Sequence, residues 1–583
     1  MEQINLRING KEVQGSVGET ILEVATRNHI KIPTLCFLKN CNQTGACRVC
    51  VVDVKGARSL VASCMYPISE GMEVNTHNKK VLEARRNTVE LILSNHSKNC
   101  LSCIRNQNCE LQSLSKELSV RDNMYEGEKT KLTYDDVSTG IVRDTSKCIL
   151  CGRCVSTCSQ VQGLGILNYM HRGFETKVGP VLDASMHDVN CMQCGQCIVN
   201  CPTGALSEKT HIHEVIQVLN NPSKYVIVQT APAVRASLGE EFDMPIGTRV
   251  TGKMVSALKE IGFDRVYDTN FAADLTIMEE GTEFIDRISN QGVLPMITSC
   301  SPGWIRYIEY EYPELLEHLS SCKSPHMMFG AILKSAFAQR HNIDPKNIYV
   351  VSIMPCTAKK FEITREEMKR DGIADVDCVL TTRELGQLIK VYGIDFGSLE
   401  ETSFDQDMFG EYSGAGVIFG TSGGVMEAAL RTVYEVLTKE ELKNVDFVAC
   451  RGTEGIKEAT IAINGIDVNI AIAHSMALAK PLLEEIKQGT SKYHFIEIMG
   501  CPGGCINGGG QSIIPASIKN LGIDHKKLRA QALYEEDSLS KIRKSHENTQ
   551  IKELYETFLG EPNSHKAHEL LHTTYVPRTI SIK

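Results

Sequence analysis

The sequence lacks three features that would place the protein at a membrane or on nucleic acid. No uncharged apolar run is long enough to span a bilayer, and the start, MEQINLRINGKEV, lacks the charged-then-apolar pattern of a signal peptide. Positive charge is not in excess either, since the 62 Lys and Arg are outnumbered by 71 Asp and Glu, which gives a formal net charge of -9. This balance disfavours nucleic acid and anionic membranes as partners. We expect a cytoplasmic protein of several domains, because 583 residues exceed what one core holds.

What the sequence has in abundance is cysteine, with 23 residues. In a reducing compartment these are better interpreted as thiolate metal ligands than as disulfides. The first group combines a tight C-x2-C in a glycine-containing loop with one cysteine before it and one well after it, and it follows a strand-like INLRINGKEV and a helix-like ETILEVATRNH. This pattern predicts a plant-type 2Fe2S ferredoxin-like domain over residues 1–78. Its ligands are predicted to be Cys36, Cys47, Cys50 and Cys64, with Cys41 left as a free thiol.

The second group lies in HSKNCLSCIRNQNC and contains His96, Cys100, Cys103 and Cys109. Three cysteines and one histidine can hold a structural zinc ion. The position of the segment among other cluster motifs favours a 4Fe4S centre instead. We assign this domain to residues 79–125.

The third group has the most specific spacing, because CILCGRCVSTC and CMQCGQCIVNCPTGAL repeat one pattern. In two-cluster ferredoxins the fourth cysteine of each run ligates the other cluster. One predicted 4Fe4S set is therefore Cys148, Cys151, Cys154 and Cys201, and the other is Cys158, Cys191, Cys194 and Cys197. We assign this domain to residues 126–209.

From about residue 210 apolar strands alternate with amphipathic helices, which predicts a large α/β catalytic domain over 210–583. Three predicted strands end at Cys300, Cys356 and Cys501, and Cys505 follows the last of them. Strand ends of an open α/β sheet bring ligands together, so a four-thiolate site is predicted there. The whole chain is thus expected to be a multidomain α+β protein, with N-terminal ferredoxin-like iron-sulfur domains before the catalytic domain.

The motifs TSCSPGW, MPCTAKKFE and MGCPGGCINGGGQ resemble those of the iron-only (FeFe) hydrogenases, in particular the clostridial ferredoxin-linked type with four accessory clusters. The resemblance implies an enzyme that interconverts protons plus electrons with hydrogen. Its cofactors would be one 2Fe2S cluster, three accessory 4Fe4S clusters and an H-cluster, which is a 4Fe4S cubane joined to a di-iron unit carrying CO, cyanide and an amine dithiolate. Ferredoxin or a similar small redox carrier and the di-iron maturation proteins are the implied partners. The segment from about 525 would wrap the catalytic domain.

The same resemblance implies roles for individual residues. Cys505 would bridge cubane and di-iron unit, with Cys356 and Cys501 on the cubane, and Lys359 would donate to a cyanide. A buried ammonium requires an anionic partner, which such a ligand supplies. The remaining cofactor contacts would come from Met354, Met499, Pro232, Ala233, Pro355 and Gly500, and the proton relay from Glu280, Glu283, Ser320 and Arg287. Without the resemblance, the two glutamates would be interpreted as a solvated helix face.

The sequence departs from the family at the cubane. A pair of cysteines is expected where this chain has Cys300 and Ser301, the first relaying protons and the second ligating iron. Either Ser301 ligates through oxygen, or the loop shifts and Cys300 becomes the ligand; we favour the second, because iron in these clusters prefers thiolate. Ala233 also lacks a hydroxyl donor, and Gly500 replaces an alanine. These departures suggest an altered catalytic bias, with a low-turnover sensor or an electron-transfer or assembly protein lacking the di-iron unit as alternatives.

Overall fold

The computed structural model describes residues 3–121, 124–125, 127–130, 132–463 and 465–579. The chain divides into two compact units. The N-terminal unit comprises Met1–Val189, Gln196–Ser207 and Ile513–Asp524, and the catalytic unit comprises Asn190–Gly195, Glu208–Ser512 and His525–Lys583. Both units therefore combine stretches that are distant in sequence.

The N-terminal unit begins with a five-stranded sheet. Its first two strands are antiparallel, with Leu6 opposite Val13, and alternation buries both side chains against the helix Ile21–Arg27. Thr20 and Glu23 form a capping box that fixes the start of this helix. The strands in spatial order are Lys11–Ser16, Gln3–Ile8, Glu73–Asn75, Val51–Val54 and Val61–Ala62.

Helices and short strands make up the rest of this unit. The longest helix, Lys79–Asn95, begins at Asn78, whose side chain accepts a hydrogen bond from the Val81 amide. Further α-helices span Glu110–Glu117, Arg153–Ser156, Gln196–Asn200 and Ala516–Asn520, and two antiparallel pairs join Tyr134–Asp135 to Ile141–Asp144 and Asn168–Met170 to Lys177–Gly179.

Two four-stranded sheets organise the catalytic unit. The first is entirely parallel, and its strands are buried along almost their whole length, as expected for a sheet covered on both faces. Its order is Arg265–Asp268, Tyr225–Thr230, Ile348–Met354 and Cys378–Thr381. The second has the order Met296–Ile297, Phe495–Met499, Ile466–His474 and Lys457–Ile463, with an antiparallel pair at one edge. The predicted α+β organisation with mainly parallel strands is confirmed.

Helices pack against these sheets. The 20-residue helix Asn270–Ser289 is buried along most of its first three turns. Glu280 is buried and the Glu283 side chain is only 13% exposed, so these two glutamates do not lie on a solvated face. The other α-helices of the unit span Ile212–Leu219, Thr251–Ile261, Pro302–Glu311, Pro325–Ile332, Ala338–His341, Lys359–Glu362, Thr382–Val391, Gly414–Ile418, Gly424–Thr438, Met476–Lys487, His525–Leu539, Thr549–Leu554 and His565–Leu571. Among the described residues, no helix combines the length and apolar character needed to cross a bilayer.

Candidate functional site

The carboxyl ends of three strands meet at one cavity in the catalytic unit. Cys300 follows Met296–Ile297 after a short turn, and Cys356 and Cys501 each come within two residues of the end of their strands. All three cysteines line the cavity, together with Cys505. The four residues predicted as a thiolate site from strand ends alone are therefore brought together.

Most residues expected to contact a cofactor lie in the same cavity wall. The wall includes Ser301, Pro232, Met354, Pro355, Lys359, Met499 and Gly500. Ala233 is fully buried but is not among the lining residues, and its carbonyl accepts a hydrogen bond from the Gln511 amide at 2.8 Å. At this loop the wall is formed by Ala231 and Pro232 instead. Position 233, which lacks the expected hydroxyl donor, therefore directly follows the residues that line the cavity in this loop.

Glycines allow the loops around this cavity to approach each other closely. A Cβ on Gly508 would lie 2.1 Å from the Pro355 carbonyl oxygen, and one on Gly509 would lie 2.2 Å from that of Cys194. Any larger residue would push these loops apart. The Cys501 sulfur lies 3.8 Å from the same Cys194 carbonyl oxygen. A predicted accessory-cluster ligand and a predicted cubane ligand are therefore neighbours within the catalytic unit.

Lys359 is buried beside the cavity and already has an anionic partner in the protein. Its Nζ lies 2.7 Å from Glu362 Oε2 and 3.2 Å from the Cys300 carbonyl oxygen. Glu362 Oε2 is also 2.7 Å from His326 Nε2. Although burial alone would raise it, the Lys359 charge and His326 bring the pKa of Glu362 down to about 2. Burial of Lys359 therefore does not by itself require a cyanide, because Glu362 supplies an anionic partner within the protein.

Cys300 and Ser301 face different surroundings. The Ser301 hydroxyl accepts a hydrogen bond from the Gly500 amide at 3.1 Å, next to Cys501. A Cβ on Gly500 would lie 3.1 Å from this hydroxyl oxygen, so glycine leaves room for it. Burial and the charge of Glu280 raise the pKa of the Cys300 thiol well above its ordinary value. The Ser301 hydroxyl thus lies at the residue before Cys501, whereas the Cys300 carbonyl accepts a hydrogen bond from Lys359.

Three of the four residues predicted for the proton relay are hydrogen-bonded to one another in the structure. Glu283 accepts hydrogen bonds from the Ser320 hydroxyl at 3.0 Å and from Arg287 Nη2 at 2.7 Å. Glu280 lies one turn earlier on the same helix, and neither of its buried oxygens has a hydrogen-bond partner among the described residues. Burial and the nearby Glu283 charge raise the pKa of Glu280 to about 8, while Ser320 opposes this shift. A carboxyl with such a pKa can take up and release protons near neutral pH.

Sequence reasoning missed four buried partners of these groups. Glu362 and His326 surround Lys359, as described above. Glu279 and His572 bond to each other at 2.9 Å next to the relay. Glu279 directly precedes Glu280 in IMEEGTEF, which is the one local signal, but His572 is almost 300 residues away in the sequence.

In the N-terminal unit, the first predicted ligand set also converges. The Cys50 and Cys64 sulfurs are 3.3 Å apart, and the Cys36 thiol contacts those of Cys47 and Cys64. Cys36, Cys47 and Cys50 lie in the loop region between the helix Ile21–Arg27 and the strand Val51–Val54, as expected for ligands of a small cluster. Cys41 lies outside this set, with its sulfur 3.4 Å from the Thr157 hydroxyl.

The His96 set lies in the loops around Cys100–Ser102. A ring nitrogen of His96 is buried and has no hydrogen-bond partner in the part of the chain that the structure describes. Such an orphaned nitrogen is costly unless it binds a metal or another ligand. A Cβ on Gly204 would lie 2.7 Å from the Cys103 sulfur, and Cys109 Sγ is 3.7 Å from the Pro202 carbonyl oxygen. These cysteines therefore border the segment that follows Cys201.

The four cysteines of one predicted 4Fe4S set line a single cavity of the N-terminal unit. These are Cys148, Cys151, Cys154 and Cys201. The Asn42 side-chain amide donates to the carbonyls of Cys36 at 2.8 Å and Cys151 at 3.0 Å, and so joins two ligand loops. In the other set, Cys158 and Cys197 belong to the N-terminal unit, and Cys191 and Cys194 belong to the catalytic unit.

Family comparisons agree with this distribution of sites. The chain matches the iron only hydrogenase large subunit, C-terminal domain, over residues 224–509 and the iron hydrogenase small subunit over 523–578. Before these it matches a 2Fe-2S iron-sulfur cluster binding domain over 1–79, the NADH-ubiquinone oxidoreductase-G iron-sulfur binding region over 85–123 and a 4Fe-4S dicluster domain over 142–205.

Individual relatives extend the likeness over the whole chain. The chain is 47% identical to the NADP-reducing hydrogenase subunit HndD of Solidesulfovibrio fructosivorans, over 99% of this chain and 100% of that one. It is 44% identical to iron hydrogenase 1 of Clostridium pasteurianum, over 97% and 99% respectively. A solved structure of a variant of the FeFe-hydrogenase HydA1 from Chlamydomonas reinhardtii shares 41% identity at a TM-score of 0.56, covering 64% of this chain and all of that one. With its strand-end cysteines, its iron-sulfur domains and this likeness along its full length, the chain belongs to the iron-only hydrogenases, which interconvert hydrogen with protons and electrons.

Proposed function

We propose that the cavity lined by Cys300, Cys356, Cys501 and Cys505 holds the H-cluster, and that Glu280, Glu283, Ser320 and Arg287 serve it with protons. The convergence of three strand-end cysteines with a buried glutamate of raised pKa is the observation that carries this proposal. The donor set suits the group, because thiolates are the ligands that iron-sulfur clusters use. One 2Fe2S and three accessory 4Fe4S clusters complete the proposed inventory, in domains bounded at 1–78, 79–125, 126–209 and 210–583.

When bound, the H-cluster supplies the activation of hydrogen, and the protein moves the proton. We assign Cys300 to carry the proton between the cofactor side and the carboxyl of Glu280. The Ser320 hydroxyl is close enough to Glu280 to lower its pKa, and we propose that the proton passes from Glu280 to this hydroxyl when the two form a hydrogen bond, then to Glu283 and out beside Arg287. A hydroxyl and a carboxyl can each accept and donate in turn, so the direction can reverse with the reaction. Lys359 positions the Cys300 loop through its bond to the Cys300 carbonyl.

We assign Ser301 to the fourth cubane position, in contrast to the shifted loop favoured from sequence. Two contacts support this assignment. The Ser301 hydroxyl lies at the Gly500 amide next to Cys501, while the Cys300 thiol is under the influence of Glu280. Oxygen is a weaker partner than thiolate for this iron, so the cubane should be held less firmly than with four cysteines.

Two single substitutions test the assignment in protein that has its accessory clusters and cubane but no di-iron cofactor. Ser301→Cys should increase the retention of cubane iron on exposure to a chelator, and Mössbauer spectra should lose the signature of an oxygen-ligated iron. Cys300→Ser should leave cubane iron unchanged. After maturation with the di-iron cofactor, Cys300→Ser should lower turnover by about 100-fold, the usual scale for losing a proton-transfer group.

The opposite pattern would contradict the assignment. If Cys300→Ser removes cubane iron and Ser301→Cys sharply raises turnover, the loop has shifted and Cys300 is the ligand. Ser403→Cys, at an exposed position of the catalytic unit that does not line the cavity, serves as a matched control for the serine-to-cysteine substitution.

The proposed electron partner is ferredoxin or a similar small redox carrier, and the di-iron maturation proteins are proposed to load the site. One observation favours a second candidate: the relative at 47% identity is a subunit of an NADP-reducing hydrogenase. A hydrogen-uptake assay of the purified chain distinguishes these partners. Direct reduction of ferredoxin supports the first, and reduction of NADP only in the presence of further native subunits supports the second.

The alternative function, an electron-transfer or assembly protein without the di-iron unit, leaves the buried acidic residues unexplained. Such a protein would gain nothing from a buried Glu280 of raised pKa or from the Glu283, Ser320 and Arg287 network, because it moves no protons at this site. A sensor would keep these groups, and its turnover after full maturation would be far below that of an enzyme.

A further inference from the structure

A buried ion pair lies where ligand loops of the N-terminal unit meet. Arg153 stands between Cys151 and Cys154 in the run CGRC. Glu110 directly follows Cys109, a predicted ligand of another site. The Arg153 guanidinium donates to the Glu110 carboxylate through Nη1 at 2.8 Å and through Nη2 at 2.9 Å. This bidentate pair ties the two loops together with a defined geometry.

The same guanidinium reaches the ligand loop of the predicted 2Fe2S site. Its Nε donates to the Cys36 carbonyl at 3.4 Å. The Asn42 side chain connects the same two loops, because its amide donates to the carbonyls of Cys36 and Cys151. The Ser156 hydroxyl donates to the Asn42 side-chain oxygen at 2.7 Å. These bonds hold the guanidinium in a fixed place beside both sites.

The two charges of the pair are shielded from water to different degrees. The Arg153 side chain is 2% exposed, and the Glu110 side chain is 22% exposed. An arginine keeps its charge at any pH at which the protein is folded. Burial alone would raise the pKa of Glu110, but the Arg153 charge lowers it. Salt screens a buried charge much less than an exposed one, so the groups around Arg153 are exposed to its field.

Two predicted ligands of one 4Fe4S site lie within this field. The site is the one formed by Cys148, Cys151, Cys154 and Cys201, called here the Cys148 set. Burial raises the pKa of the Cys151 thiol, and the Arg153 charge opposes that rise. The Cys201 thiolate is among the groups that favour the Arg153 cation. A cation that stabilises a thiolate also stabilises the electron added to a cluster at the same place, since both add negative charge.

We propose that the Arg153–Glu110 ion pair sets the reduction potential of the cluster held by the Cys148 set, with the guanidinium raising the potential and the carboxylate limiting the rise. The step concerned is the transfer of one electron. The 2Fe2S cluster is oxidised by one electron and the 4Fe4S cluster is reduced by one, and no bond is made or broken. Arg153 is a positioning residue for this step, because it also fixes the Cys36 loop. The inference rests on the proposed presence of the accessory clusters.

Charge-removing variants should shift the potential in opposite directions. We would titrate the full chain with its accessory clusters by electron paramagnetic resonance, and identify the relevant signal as the one that Cys151→Ala lacks. Arg153→Gln should lower the midpoint potential by about 59 mV, a tenfold change in the ratio of oxidised to reduced cluster for a one-electron couple. Glu110→Gln leaves the cation unbalanced and should raise the potential.

Further variants separate charge from a purely structural role. Arg153→Lys keeps the charge and loses the bidentate geometry, so its potential should lie closer to wild type than that of Arg153→Gln. Breaking a buried ion pair can destabilise a protein, so the double variant Arg153→Gln with Glu110→Gln removes both charges together. Its potential should fall less than that of Arg153→Gln alone. The exposed Arg172→Gln and Glu117→Gln remove the same charges elsewhere in the unit and should match wild type.

The titration also distinguishes failure of this inference from failure of the cluster assignment. Shifts of the same sign in Arg153→Gln and Glu110→Gln, or wild-type potentials in both at full iron content, would overturn the role of the ion pair. If Cys151→Ala loses neither iron nor a signal, the proposed cluster of the Cys148 set has failed.

Discussion

The N-terminal unit and the catalytic unit assemble reactive groups in different ways. In the N-terminal unit, Cys148, Cys151 and Cys154 lie within seven residues of one another and share a cavity. In the catalytic unit, the ends of three strands bring Cys300, Cys356 and Cys501 together, although more than 200 positions separate the first cysteine from the last. Local spacing is therefore enough to specify an electron-transfer site, whereas the reaction site needs the whole α/β framework.

The two regions also differ in how burial acts. Thiols around a cluster are held by short loops, and their function requires only that they bind iron. For Glu280, burial and the charge of Glu283 raise the pKa to about 8, and the proposed proton transfer depends on this shift. Substitutions at the cysteines of the N-terminal unit should block electron transfer and leave the reaction at the catalytic site intact. Substitutions at the buried glutamate of the catalytic unit should impair the reaction and leave electron transfer intact.

The largest expected effect comes from Glu280→Gln. Glutamine preserves size but cannot release a proton, so hydrogen evolution and uptake should both fall by about 100-fold or more, with cluster content unchanged. In wild type the raised pKa keeps Glu280 protonated up to pH 8. Evolution should therefore fall as pH rises through about 8, and uptake, which needs the ionised form, should fall as pH drops below it.

Rates with a small dye donor check this prediction, and the exposed Glu454→Gln is the matched control. Unchanged turnover in Glu280→Gln would mean that the proton bypasses the buried glutamate.

An intermediate effect is expected from Cys151→Ala in the N-terminal unit. The variant should lose about four iron atoms per chain, because one 4Fe4S cluster cannot form. Turnover with reduced ferredoxin should fall by about tenfold or more, whereas turnover with a small dye should persist. Iron analysis and paired assays measure both, with Cys41→Ala as control. Equal loss with both donors would break the distinction between the two regions.

The smallest effect is expected from Asn42→Ala. Its side-chain amide donates to the Cys36 and Cys151 carbonyls and accepts from the Ser156 hydroxyl, so its loss removes three buried hydrogen bonds worth about 1 kcal/mol each without removing a ligand. Ferredoxin-linked turnover should decrease a few-fold, and the melting temperature should fall by a few degrees. The exposed Asn168→Ala should change neither. A full loss of either cluster would show that Asn42 is needed for assembly.

Sequence alone specified the fold class and the clustering of the strand-end cysteines, because periodicity and Cys spacing are local signals. It could not specify the partners of buried charges. An anionic partner for Lys359 is expected from its burial, but the sequence does not reveal that Glu362, three residues later on the same short helix, is one such partner. His572 reaches the relay only through pairing of the C-terminal segment with the Ser321 loop, which no spacing reveals. The preference of iron for thiolate also does not determine the geometry of the loop that contains Cys300 and Ser301.

The most direct measurement of the central claim is infrared spectroscopy of the protein matured anaerobically with its di-iron cofactor, combined with a hydrogen assay of the same sample. We predict CO and cyanide bands at stoichiometric cofactor loading, together with hydrogen evolution and uptake that Glu280→Gln suppresses without altering the bands. A fully assembled cubane that shows no such bands and no hydrogen turnover would contradict the assignment of the cavity as an H-cluster site.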